Sequence, residues 1–228
     1  MSICEDYPRP LQLVGNERIT LRHLITHCKT AQFPKLHQKA GDALDKLRAD
    51  IPILCFQGEW TGKCRDGVFD ILVGADINAT KNKYGRITYA LCVRQNDLAY
   101  RQFHFDFNPS KNEESHQDAE SYSHPFLHLQ YGGSRAWQEV SDDSFKALRP
   151  ELSSPRIPFP PVTLALLLDL GFREFGDDKI RKFRETSEWR GLVSRNEDFI
   201  LRWYYEACSN HWRSRRGNQL FMDILYNE

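Results

Sequence analysis

Apolar residues recur at three- and four-residue steps near the N-terminus, at Leu21, Leu24 and Ile25, then at Leu36, Ala40, Ala43, Leu44 and Leu47 beyond Pro34. That is the spacing of two amphipathic helices with a break between them, so residues 1–50 are predicted to be helical. From Val68 the pattern changes. VFDILVGADI is short and rich in β-branched residues, and the turn-forming ATKNKYG that follows predicts a strand and a reversal. In RITYALCV, Ile87, Tyr89, Leu91 and Val93 alternate with Thr88, Ala90 and Cys92, the period of a half-buried strand.

After a turn at Gln95 to Asp97, AYRQFHFDF sets Phe103, Phe105 and Phe107 against Gln102, His104 and Asp106, so the two segments are predicted to form a hairpin. HPFLHLQYGG alternates again, with Leu127, Leu129 and Tyr131 opposed to His124, Phe126, His128 and Gln130, and predicts a third strand. The four prolines of SSPRIPFPP exclude a helix or a central strand and predict an extended edge or connector. Pro161 suits the first position of a following helix, VTLALLLDLGFREF, which is apolar on nearly every side and so is expected to be deeply buried. Trp189, Leu192, Val193, Ile200, Trp203, Tyr204 and Ala207 continue at helical spacing. The expected fold is a single α+β domain over residues 1–228. An antiparallel meander sheet spans 67–132, with the N-terminal helices and the C-terminal helices of 160–210 packed on one face.

Composition narrows the function. With 31 basic and 31 acidic residues the net charge is zero, so any nucleic-acid site must be local rather than a whole basic surface. The 12% aromatic content argues for a packed core over disorder. The longest nearly apolar run, Val162 to Leu170, is far short of the roughly 20 residues of a membrane helix. The opening MSICEDYPRP lacks a signal-peptide core, so a cytoplasmic protein without membrane contact is expected. The cysteines at 4, 28, 55, 64, 92 and 208 contain no CxxC pair and are expected to be thiols; Cys55 and Cys64 are the pair that a secreted protein might bridge across a loop.

Four of the eight histidines, His104, His116, His124 and His128, fall within 25 residues, and three of them share the even parity of two predicted strands. If those strands are antiparallel, a register with His104 opposite His128 would set Asp106 opposite Phe126 and gather a His, Asp, His constellation on one face. Two chemistries fit it. His104 and His128 can serve as acid and base in phosphodiester cleavage, because imidazole titrates near neutrality, with Asp106 as orienter and His124 as a further candidate. Arg156 is the preferred phosphate binder, and Arg94 and Arg135 are further cations at strand ends. No cofactor is then required. Alternatively His104, Asp106 and His128 form a two-histidine, one-carboxylate site for a divalent metal. A polar outer face is also what any helix-backed sheet presents without chemistry.

Elsewhere the signals are thinner. His23 and His27 are four residues apart on a predicted helix, a metal pair without a third ligand, for which a core or surface role is favoured. Lys179 to Arg216 holds ten basic and five acidic residues, but Arg190, Arg195 and Arg202 lie on the ordinary polar face of a helix. Only HWRSRRG, with Arg213, Arg215 and Arg216, exceeds that baseline as a nucleic-acid contact. The lone glycine pair of QYGGSR is poor evidence for a phosphate loop, and Walker, HExxH and GxSxG motifs are absent.

SHPFLHLQYGG followed by PRIPFPPVTLALLLDLGF resembles the HPxxHxQ or HPxxHxH, glycine, RIP-type connector pattern of uncharacterised prokaryotic proteins encoded in mobile defence and toxin–antitoxin loci. The resemblance covers roughly Phe103 to Phe175, under a third of the chain. It implies a bacterial accessory or effector protein with His124, His128 and Arg156 at the motif positions. Together the readings lead to a ribonuclease-like effector acting on RNA. The rival is a noncatalytic interaction subunit of a defence complex that binds protein or nucleic acid, including a protein partner encoded nearby.

Overall fold

A computed structural model describes residues 8–28, 33–47, 53–64, 67–79, 84–95, 98–107, 127–131 and 156–214. The elements run α1 (Pro10–His27), α2 (Pro34–Lys46), β1 (Ile53–Cys64), β2 (Gly67–Ala79), β3 (Tyr84–Gln95), β4 (Leu98–Phe107), β5 (Leu127–Tyr131), β6 (Arg156–Pro158), α3 (Leu164–Phe175), α4 (Asp178–Arg184) and α5 (Ser187–Ser214). The strands form one antiparallel sheet in chain order, β1 to β6. The α+β architecture is as the periodicity predicts, with helices on both sides of the meander in sequence.

The sheet is wider than the expected 67–132. It gains β1, whose Leu54, Phe56 and Gly58 are buried while the glycines and polar residues of FQGEWTGKC hide the alternation. It also gains β6, the RIP segment, a three-residue edge strand in which proline is tolerated. Cys55 and Cys64 lie on the same strand, nine residues and so about 30 Å apart, which excludes a bridge between them. Cys28, Cys92 and Cys208 are free thiols.

Helices cover the face that carries Leu54, Phe56, Ile71, Val73, Ile77, Tyr89 and Leu91. The α3 helix approaches it so closely at Gly171 that an added Cβ would stand 3.1 Å from Leu91 and 3.3 Å from Ile71. Leu164, Ala165, Leu167, Leu168 and Phe172 are each fully buried, in keeping with the apolar character of that helix. Pro161, however, lies outside it. Thr163 takes an extended conformation as N-cap, its hydroxyl accepts from Leu166 N at 3.4 Å, and the helix begins at Leu164. Around Phe33, Phe172, Phe183 and Trp189 the rings meet at centroid distances of 5.0 to 6.3 Å and join α3, α4 and α5.

Two polar contacts fix the helical layer. Asp169 accepts from Arg184 through both carboxylate oxygens at 2.7 Å and from the Trp189 indole N–H at 2.8 Å, so one partly buried carboxylate ties α3 to α4 and α5. Glu17, with no exposed surface, accepts at Oε1 from the Tyr89 hydroxyl at 2.6 Å and from Leu164 N at 3.1 Å, joining α1 to the sheet and to the first turn of α3. Its Oε2 is buried without a hydrogen-bond partner. Burial therefore pushes the carboxyl up from 4.5 to about 7, against the opposing pull of its two hydrogen bonds.

Since the folded value lies above the unfolded one, the stabilisation is complete below about pH 4.5 and is lost as pH rises through 7. We expect urea-unfolding stability to fall by on the order of 3 kcal/mol between pH 5 and 8, and Glu17→Gln, which keeps the accepting oxygen, to abolish that slope. A slope unchanged in the variant would assign the titration elsewhere. Asp169→Asn should cost about 2–3 kcal/mol at pH 7, since it leaves a guanidinium half-paired inside the helical layer. Removal of the exposed Arg202–Glu206 pair should cost about 0.5 kcal/mol or less in the same assay.

Candidate functional site

The strand pairing defines the candidate site. β4 and β5 align with Asp106 opposite His128 and His104 opposite Gln130, a two-residue offset from the register expected with His104 facing His128. The offset is even, so the alternation still assigns His104, Asp106, His128 and Gln130 to one face, away from the helices. One rung across the sheet reads Gln57, Gly74, Ala90, His104, Gln130 and Arg156. The adjoining rung of that face reads Cys55, Asp76, Thr88, Asp106, His128 and Pro158. Asp106 and His128 are thus direct neighbours at about 5 Å, and His104 and His128 are diagonal neighbours at about 7–8 Å. Arg156 stands two strands from His104, about 9.5 Å across the sheet.

The β3 and β4 part of this face differs from a solvated one, whereas Asp76 beside Thr88 in the same rung is exposed. Thr88 and Ala90 are 4% exposed, Cys92 is fully buried, and His104 is 3% exposed. The expectation that β3 is half-buried therefore fails: Ile87 to Val93 are buried on both faces. Gly74 and Ala90 set nothing larger than a methyl beside His104 along its rung. Burial pushes the Cys92 thiol up to about 12, with Arg94 opposing, so this cysteine is no nucleophile near neutral pH.

Several expected participants are not brought together. Arg94 lies four residues along β3 from Ala90, about 13 Å away, and faces Asp70 in register. His116, His124, Arg135, Arg215 and Arg216 lie outside the described residues. Arg213 falls in the last turn of α5, and the structure describes its backbone only.

On α1, the His23 and His27 rings lie 4.2 Å apart, 6.2 Å from the Trp189 ring in the case of His23. Burial, then the charges of His27 and Arg195, lower the His23 imidazole from 6.5 to about 4, with Glu188 opposing. His23 is accordingly neutral near pH 7, and its contribution to stability is present above about pH 6.5 and lost as pH falls through 4. Among the described residues no group of three or more histidine, cysteine or acidic side chains is arranged to hold a metal ion. Among the described residues, too, no helix is long and apolar enough to cross a membrane.

Two constellations escape the periodicity reading. Glu17 falls on the apolar stripe of α1 between Leu13 and Leu21, and a carboxylate at a core position is itself a signal of an unusual group. Asp169 carries the same signal inside LALLLDLGF. No protein-family model, curated protein or solved structure matches the chain.

Proposed function

We propose that the chain is a histidine-dependent phosphodiesterase of ribonuclease type, acting on RNA at the sheet face opposite the helices. The observation that supports this is the two-rung register in which His104, Asp106, His128 and Arg156 are assigned to neighbouring positions of one face. In the proposed reaction His128, oriented by Asp106, takes the proton of a ribose 2′-hydroxyl. The 2′-oxygen attacks phosphorus, the 5′-oxygen leaves, and His104 supplies its proton, so the product is a 2′,3′-cyclic phosphate. Arg156 offsets the charge that gathers on the phosphoryl oxygens. A diagonal separation of about 7–8 Å leaves room for a phosphodiester between two imidazoles. The 3% exposure of His104 suits a group that works in a water-poor site. The chemistry needs no metal, although the same three residues, with a divalent ion, are an alternative set for the same bond cleavage. A bacterial defence or toxin–antitoxin setting in the cytoplasm is part of the proposal and rests on the HPFLHLQ and RIP resemblance.

The low exposure of His104 also favours a second reading, in which the polar face is internal packing and the chain is a noncatalytic subunit of a defence complex. Under it Arg213, Arg215 and Arg216 matter and the histidines do not.

His128→Ala and His104→Asn should each lower RNA cleavage by about 10²-fold or more, with cyclic-phosphate ends made only by the unaltered protein. Circular dichroism and urea midpoints establish that the variants remain folded. Cleavage at the original rate by both folded variants would discard the proposal. Loss of partner capture on replacing Arg215 and Arg216, with both histidines dispensable, would establish the second reading instead.

A further inference from the structure

On the far side of the molecule a cleft of about 510 Å³ opens between α4 and α5, over Asp169 and Trp189. Asp169 is two residues, and so about 200° of helix, from the sheet-facing Gly171. The cleft therefore belongs to the outer surface of the helical layer, whereas the histidine rungs occupy the opposite face of the sheet. The two helices present matching stripes to it: Arg181 and Arg184 on α4 with Glu185 as its C-cap, and Arg190, Val193, Ser194 and Glu197 on α5, at three- and four-residue spacing.

Only part of the charge in this cleft is paired internally. Asp169 accepts from Nε and Nη2 of Arg184 and from the Trp189 indole N–H, which leaves Nη1 of Arg184 over. The neighbouring carboxylates Asp169 and Glu174 raise the Arg184 pKa further, so the cation is permanent. Arg181 has only a 3.4 Å contact with the exposed Asp178. Among the described residues, Arg190, Glu185 and Glu197 make no side-chain hydrogen bond or ion pair. An arginine and two glutamates thus line one concavity without cancelling each other. A volume of 510 Å³ lies within the range of small-molecule sites and below what a folded polynucleotide segment fills.

We propose that this cleft binds a small phosphorylated ligand of the nucleotide class. Arg181, Arg190 and the spare Nη1 of Arg184 receive the phosphate, guanidinium being the side chain best matched to phosphate oxygens. Glu185 and Glu197 accept from the hydroxyl or amino groups of the same ligand, and Ser194 adds a hydroxyl on the wall. An inorganic anion would leave those carboxylates unanswered, which is why the site selects a ligand with both an anionic end and hydrogen-bond donors. The proposal does not depend on the reaction at the sheet face.

Calorimetric titration of the full chain with AMP and with inorganic pyrophosphate tests it. We expect AMP to bind, Arg181→Ala together with Arg190→Ala to weaken it by about tenfold or more, and Glu197→Gln to weaken AMP severalfold while sparing pyrophosphate. All three substitutions are at exposed positions that leave the Asp169 network intact, and His128→Ala should bind AMP normally. Failure of AMP to bind at millimolar concentration, equal binding by the double arginine variant, or binding of a 12-nucleotide RNA without AMP would each overturn the assignment.

Discussion

The arrangement of this protein depends on a strand buried on both faces. Ile87 to Val93 of β3 admit almost no solvent from either side, so a slip of one residue would turn Tyr89 and Leu91 from the helices and bring Thr88 and Cys92 beneath them. Each exchange would mismatch volume and polarity at several sites at once. The register of β3 is therefore strongly specified, and pairing transmits it outward to β4, β5 and the short β6. A constraint set by packing in the centre thereby determines which residues meet at positions 104, 106, 128 and 156.

The helical layer is held to that strand by a polar contact as well as by apolar burial. Glu17 reaches Tyr89 and the first amide of α3, and its neutral form suits the site better than the charged one because one oxygen has no donor. A carboxyl group in such surroundings couples the helix–sheet junction to protonation near neutral pH. Asp169 illustrates the other outcome for a carboxylate: with a bidentate guanidinium and an indole N–H as donors, both of its oxygens have partners and it organises the outer surface of the same helices. Gly171, on the opposite side of α3 from Asp169, allows the helix to lie close on Ile71 and Leu91.

Much of this was legible in the residues because two periods dominate them. Alternation locates β3, β4 and β5, spacing by three and four locates α1, α2 and α5, and a run apolar on nearly every side locates α3. The alternation of β4 and β5 also assigned the histidine face, since parity survives any even shift. The two-residue offset of their register was not legible, because it depends on where each strand meets its neighbour and not on either pattern alone. β1 escapes the pattern because its glycines and polar residues dilute the apolar face, and Pro161 marks the helix start too early because Thr163 is the N-cap. Burial of the second face at Thr88 and His104 is a tertiary property with no periodic signature. Glu17 and Asp169 were visible as charges on apolar stripes, but the partners that give them meaning come from distant segments.

The histidine face depends on the pairing of β4 with β5, and amide-to-amide nuclear Overhauser contacts in deuterated protein measure it directly. Contacts linking Asp106 with His128 and His104 with Gln130 are the predicted result. Contacts that pair His128 with Phe105 or Phe107 would send the two histidines to opposite faces of the sheet and contradict it.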